Sequence, residues 1–208
     1  MTVEGVSPVL AGFGIGLALA GAPGPVQAVL LAEAHRGGLS RGFRAMAGAN
    51  LTFGLLLLGT LLGFPVTPPG SLVARILRVA GGLFLLWLAA EGFRSQDPIE
   101  ASSPVRRASP PVLRGALAVL LNPGAWLFLG TVATSLLSTA AGNSHAGSAL
   151  LAALALLIGV VIGDGALVVF GGLGLRRADA RVGAWVRRSL AVMLGLLGLW
   201  LLAGGLIP

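Results

Sequence analysis

The chain contains no cysteine and no lysine, and acidic residues are few. Without cysteine it can form no disulfide, no thiol redox centre and no thiolate-bound metal site. Seven acidic residues stand against fourteen arginines, which gives a formal net charge of +7. Only 10% of the residues are charged, whereas 56% are hydrophobic and the mean hydropathy is +0.94. This composition places the chain among integral membrane proteins.

Apolar runs of about 20 residues or more, the length needed to cross a bilayer, predict six transmembrane helices. They lie at 7–32, 43–64, 72–93, 112–138, 147–173 and 186–206. The first run resembles a secretory signal, but Glu4 and no basic residue precede it, so we expect it to be retained. The sequence therefore predicts an all-α, multi-pass membrane protein.

The arginines lie in the short connections between these runs, and twelve of the fourteen fall on one side of the predicted bundle. Only Arg75 and Arg78 lie toward the other side, at the start of the third run. Because arginine-rich loops stay in the cytoplasm, both termini are predicted to lie outside it, with the protein in the cytoplasmic (inner) membrane. The same bias explains the basic charge without a nucleic-acid partner.

A polar, proline-rich segment at 95–111 predicts a cytoplasmic linker between two halves of three helices, 1–94 and 112–208. Because three is odd, the second half enters the membrane in the opposite sense to the first. The halves therefore form an inverted repeat if they share a fold, and paired helix breaks in spans one and four support a shared fold. In this comparison Asp164 of span five corresponds to Asn50 of span two.

The two helix breaks are the strongest local signals. Span one contains Gly21-Ala22-Pro23-Gly24-Pro25, although one interior proline already costs a helix about 3 kcal/mol. Span four contains Asn122-Pro123-Gly124, which is typical of a helix start with an Asn N-cap. Half-helix N-termini at membrane depth attract anionic groups such as a carboxylate. The alternatives are a kink that serves packing, and an Asn122 that caps only its own helix.

Asp164 is the only acidic residue well inside a predicted span. A charged aspartate at a helix centre costs about 2.5–3.5 kcal/mol, so it is expected to face the bundle interior. The roles open to it are binding a coupling proton or sodium ion, or pairing with a substrate ammonium. The structural alternative is a partner for Asn50, for Thr52 or for a freed backbone N–H.

The breaks and the buried polar residues lie at similar depth, which predicts one cavity in the inner half of the membrane. The predicted coupling-ion residue is Asp164, and the predicted substrate-binding residues are Pro23, Gly24, Pro25, Gln27, Asn50, Asn122, Pro123 and Gly124. By contrast, Glu33, Glu91 and Arg114 lie near the cytoplasmic ends of their spans and are expected to extend to the interface.

The chain resembles the LysE/RhtB family of amino-acid exporters. The resemblance rests on the Pro23-Gly24-Pro25 break, the basic glycine-containing loop at 36–42, a glycine-rich second span, and Arg114-Gly115 followed by Leu121-Asn122-Pro123. It implies export of amino acids or similar small metabolites, driven by the proton gradient or the membrane potential. Val26, Gly124 and Asn50 depart from residues common in that family, which leaves the substrate open.

Two other functions stay open: a metal-ion exporter of the same superfamily, and an assembly or lipid-handling membrane protein. Metal ions favour several oxygen ligands, or histidine and cysteine, whereas the spans offer one aspartate and neither histidine nor cysteine. The spans hold no nucleophile, base and acid set, so neither enzyme activity nor a cofactor is expected. The expected partners are a small-molecule substrate and membrane lipid; a homo-oligomer is left open.

Overall fold

The computed structural model describes residues 7–64, 72–94, 110–143, 147–177 and 180–206, and these ranges contain no strand. Their α-helices are α1 (Pro8–Gly21), α2 (Pro25–Leu61), α3 (Leu72–Arg94), α4 (Pro111–Leu120), α5 (Pro123–Phe128), α6 (Thr134–Asn143), α7 (Ser148–Arg177) and α8 (Ala180–Leu206). A π-helical segment, Leu129–Ala133, joins α5 to α6. Of the predicted linker at 95–111, residues 95–109 lie outside the described residues.

Helix α2 is folded back on itself at Gly37 and Gly38. Gly38 has a φ of 73°, which glycine adopts without the strain that a side chain would add. The two arms, residues 25–36 and 39–61, run beside each other, since a Cβ added to Gly42 would lie only 2.9 Å from the Ala34 Cβ. The connection between the predicted spans at 7–32 and 43–64 is therefore confined to two non-helical residues.

Four helical stretches are long and apolar enough to cross a membrane by length and composition: Pro25–Leu61, Pro123–Gly142, Ser148–Gly174 and Arg188–Leu206. Two shorter apolar helices, Pro8–Gly21 and Pro111–Leu120, stand before the breaks predicted in spans one and four. The predicted third span coincides with α3, which carries arginines and Glu91. The chain is thus an all-α membrane protein whose predicted spans one and four are each divided.

The two short helices that end at the breaks, α1 and α4, each pack along one longer helix. Helix α1 packs against α7, α4 packs against α2, and α3 packs against α8. Glycines let the first two pairs approach closely, because a Cβ on Gly16 or Gly159 would clash with the facing backbone of α7 or α1. Gly48 and Gly115 play the same part between α2 and α4.

The glycine contacts between α1 and α7 match those between α4 and α2, position by position. The facing backbone groups belong to Leu156 and Val160 for Gly16, to Ala45 and Ala49 for Gly115, to Phe13 for Gly159, and to Val112 for Gly48. A shift of 99 positions relates α1 to α4, and a shift of 111 relates α2 to α7, in every one of these pairs. In that register Asp164 corresponds to Phe53, whereas the sequence predicts a correspondence with Asn50. The two polar residues are neighbours across the bundle instead.

Candidate functional site

A cavity of about 790 Å³ lies where the two helix breaks meet. It is lined by all nine residues that the sequence analysis singled out: Pro23, Gly24, Pro25, Gln27, Asn50, Asn122, Pro123, Gly124 and Asp164. These residues come from α2, α5, α7 and the segments that precede α2 and α5. The fold therefore brings the whole predicted set to one place; their contact with a substrate stays a prediction.

The first break consists of three residues between α1 and α2. Helix α1 ends at Gly21, and Gly24 is fully extended (φ −166°, ψ −177°) before Pro25 starts α2. Beyond the break, the Gln27 side-chain amide donates to the Leu19 carbonyl across 3.5 Å. Gln27 therefore both lines the cavity and satisfies a backbone oxygen that the broken helix leaves available.

The second break is built by Asn122, whose side-chain Oδ1 accepts a hydrogen bond from the Gly124 N–H at 3.0 Å. The predicted N-cap is therefore confirmed, with Pro123 at the first helical position. Trp126 Nε1 donates to the Leu120 carbonyl at 2.9 Å, on the other side of the break. Each break thus recruits a nearby side chain to a carbonyl of the helix that it ends.

Asp164 and Asn50 form the polar centre of the cavity. Asp164 is 1% exposed and Asn50 is 8% exposed, and the two side chains lie beside each other. Within the described part of the chain, Asp164 Oδ1 and Asn50 Nδ2 are buried without a hydrogen-bond partner that meets ordinary geometry. A buried polar atom left without a partner costs about 1–3 kcal/mol. These two atoms therefore carry hydrogen-bonding capacity that the described residues leave unused.

The rest of the wall is mainly apolar, and it extends farther than predicted. It includes Leu19, Val26, Phe53, Val119, Val160, Leu197, Trp200 and Leu201. At one end the cavity reaches Arg78 near the start of α3 and Gly204 near the end of α8. That end lies opposite the Gly37–Gly38 turn of α2. The cavity is therefore not confined to the depth of the breaks.

A second buried polar group, the ionic cluster, lies near the turn of α2 and consists of Glu33, Arg36, Arg41, Glu91 and Arg114. Arg114 Nη1 lies 3.0 Å from Glu33 Oε1, and Arg114 Nη2 lies 3.0 Å from Glu91 Oε1. Arg41 Nε lies 2.6 Å from Glu33 Oε2, and Arg36 Nη1 lies 3.1 Å from Glu91 Oε2. The cluster ties both arms of α2 to α3 and α4.

The expectation that Glu33, Glu91 and Arg114 extend to the interface is wrong. Glu33 and Arg114 are fully buried, and the Glu91 side chain is 30% exposed. The Arg114 guanidinium also stacks on Trp87, with its carbon 4.9 Å from the ring centroid. Ion pairing and this cation–π contact compensate for the hydration that the charged groups lose on burial.

Comparison with known protein families agrees with this architecture. A profile described as LysE type translocator matches residues 17–205, nearly the whole chain. The chain belongs to this family. Its members are transporters, so the translocator is a membrane transporter and not an enzyme. Neither the curated proteins nor the solved structures contain a significant match to the translocator.

Two features of the translocator were not predicted from the sequence. Arg78 lines the cavity, and the signal for it was its place on the side of the bundle that carries only two of the fourteen arginines. The sequence predicts an interfacial Arg114 and no role for Gly115, whereas Arg114 belongs to the ionic cluster and Gly115 to the close contact with α2.

Proposed function

We propose that the translocator exports amino acids or similar small metabolites across the cytoplasmic membrane as a secondary transporter coupled to the proton gradient or the membrane potential. The observation that carries the proposal is the cavity, because both helix breaks and the buried Asp164–Asn50 pair line it. One polar atom of each residue in that pair has no hydrogen-bond partner among the described residues. Broken helices around a polar site deep in the bundle are a recurring device of secondary transporters. Membership of the LysE type translocator family supports a role in membrane export.

The proposed architecture has six spans in two inverted repeats, 1–94 and 112–208, joined by the segment at 95–111. Span one is α1 with the first arm of α2, and span four is the stretch from α4 to α6. The matched packing of α1 on α7 and α4 on α2, with its constant register, supports the repeat. The arginine bias supports two termini outside the cytoplasm.

In this orientation the end of the cavity lined by Arg78 and Gly204 lies toward the non-cytoplasmic side, and the ionic cluster lies between the cavity and the cytoplasm. None of the five charged residues of the cluster lines the cavity. Loading from the cytoplasm would therefore require the arms of α2, α3 and α4 to separate at the cluster, which makes the cluster the proposed inner gate.

Of the alternatives, a metal-ion exporter fits less well. Within the described residues no group of three or more His, Asp or Glu side chains could hold a metal ion. A lipid-handling role would use the apolar wall, but it does not explain the buried Asp164–Asn50 pair. A small molecule with both polar and apolar parts accounts for both features.

Transport is tested by reconstituting the translocator in proteoliposomes and measuring uptake of a panel of the twenty labelled amino acids under an imposed pH gradient. We expect saturable uptake of at least one amino acid, collapsed by a protonophore or by dissipating the potential. Empty liposomes and liposomes with the Pro23→Ala/Pro25→Ala variant are the controls. Absence of gradient-dependent uptake for the whole panel would contradict the proposal.

The orientation is tested separately by cysteine labelling, which the cysteine-free chain makes simple. Ser109→Cys, in the predicted cytoplasmic linker, should resist an impermeant maleimide in intact cells and react after permeabilisation. A cysteine added after Pro208 should react in both. Labelling of Ser109→Cys in intact cells would reverse the orientation and would place the Arg78 end of the cavity toward the cytoplasm.

A further inference from the structure

We infer that Arg78 binds the carboxylate of the substrate and that the cavity selects zwitterionic amino acids with an apolar side chain. This inference rests on the proposed function and adds to it a residue and a substrate class. Arg78 lies outside the set of residues that the sequence predicts for the site, and it sits at the opposite end of the cavity from the ionic cluster.

The position of Arg78 leaves its guanidinium able to take a ligand. Its Nη1 donates to the Gly204 carbonyl at 3.1 Å, at the end of α8. Guanidinium carries five N–H donors in a planar fork that matches a carboxylate. Within the described ranges the ion pairs all lie in the ionic cluster, and no carboxylate pairs with Arg78. The carbonyl contact holds the side chain while other donors stay available.

The charges that line the cavity are complementary to a zwitterion. Among the described residues that line the cavity, Arg78 is the only basic one and Asp164, whose Oδ1 lacks a hydrogen-bond partner, is the only acidic one. An α-amino acid bound between them would offer its carboxylate to Arg78 and its ammonium to Asp164, whereas an inorganic cation or a plain anion would leave one of the two residues unmatched.

The apolar wall around the two charged residues selects the side chain. Phe53, Leu197 and Trp200 are among its large apolar members, and the described lining offers no charged side chain beyond Arg78 and Asp164, only neutral groups such as the amides of Gln27, Asn50 and Asn122. A second charge on the substrate side chain would be buried there without a partner, at a cost of several kcal/mol. Leucine-like amino acids are therefore favoured over lysine and glutamate.

Arg75 provides a matched control one helical turn away. Its Nε donates to the Gly205 carbonyl at 3.3 Å, so it also holds the end of α8, but it does not line the cavity. Replacing either arginine by glutamine removes one contact to α8 and one positive charge. Only the replacement of Arg78 removes a group that faces the cavity.

The experiment measures binding of L-leucine and of L-leucinamide, which lacks the carboxylate charge, by thermal-shift titration of the purified wild type, Arg78→Gln and Arg75→Gln. We expect Arg78→Gln to weaken L-leucine binding about tenfold to a hundredfold, the range of one charge-assisted hydrogen-bonded contact. Leucinamide should bind the wild type and Arg78→Gln equally, and Arg75→Gln should bind leucine like the wild type.

Equal loss in the two glutamine variants, or no loss in Arg78→Gln, would overturn the carboxylate assignment. If Arg78→Gln does not fold, the wild-type preference for leucine over leucinamide and the intermediate affinity expected of Arg78→Lys decide the question. A wild type that ignores L-leucine but transports another amino acid in the liposome panel refutes this inference and leaves the proposed function standing. Failure of the whole panel refutes the function itself.

Discussion

The ionic cluster and the Asp164–Asn50 pair are both buried and polar, yet their bonding differs. In the cluster, Glu33 is paired with three arginines and Glu91 with two. In the cavity, the Asp164 carboxylate has only the Asn50 amide beside it, and one buried polar atom of each lacks a hydrogen-bond partner within the described chain. The carboxylates of the cluster are neutralised by arginines of the fold, whereas none of the ion pairs between described residues involves Asp164.

This difference separates a structural or gating role from a binding role. Buried polar groups in native proteins are almost always hydrogen-bonded, so an exception marks a site that a ligand, ion or water completes. In a buried cluster of paired charges, removal of any member destabilises the protein, because the remaining charges lose their partner in a medium that solvates them poorly. Stability should therefore depend on the cluster, and transport should depend on the cavity pair.

The largest expected effect follows removal of Arg114, which is wholly buried and contacts both carboxylates. Arg114→Leu should destabilise the protein by about 3–5 kcal/mol, the usual cost of breaking a buried ion pair from one side. The measurement is reversible unfolding in mixed micelles. Exposed Arg44, on the same arm of α2 as Arg41, provides the control, because Arg44→Leu should change stability by no more than about 0.5 kcal/mol.

A companion variant distinguishes the lost contacts from lost volume. Replacing Glu33 and Glu91 by glutamine and Arg36, Arg41 and Arg114 by methionine removes all the charges of the cluster while it keeps much of the packing, and should recover a large part of the lost stability. Equal stability of Arg114→Leu and Arg44→Leu would show that the cluster contributes nothing to the fold, and the proposed inner gate would lose its basis.

The site was more predictable from the sequence than the cluster was. Proline and glycine break helices wherever they occur, and a lone aspartate in an apolar run must face inward. Pro23, Asn122 and Asp164 could therefore be assigned to one cavity from local chemistry and depth alone. Their substrate contacts remain predictions.

The cluster could not be predicted, because its members meet only in the tertiary structure. Glu33 and Arg114 are 81 positions apart and each lies near a predicted helix end, where extension to the interface is the ordinary outcome. The fold-back of α2 at Gly37 and Gly38 and the close contact of Gly115 with the second arm of α2 bring them together. The register of those contacts also separates Asp164 from Asn50 as repeat counterparts.

The smallest effect on stability is expected where the effect on transport is greatest, at Asp164. Asp164→Asn keeps the volume and removes a charge that is costly to hold in the membrane, so the free energy of unfolding should stay the same or rise slightly. If Asp164 carries the coupling proton, the variant should still bind substrate in the thermal-shift assay but lose uptake driven by a pH gradient. Exchange of the two residues, Asn50→Asp with Asp164→Asn, returns one carboxylate to the pair and should restore part of that uptake.

Weakened binding in Asp164→Asn would instead assign the carboxylate to the substrate ammonium. A drop in stability with unchanged uptake would place Asp164 with the ionic cluster as a structural charge, and the contrast between the two regions would fail.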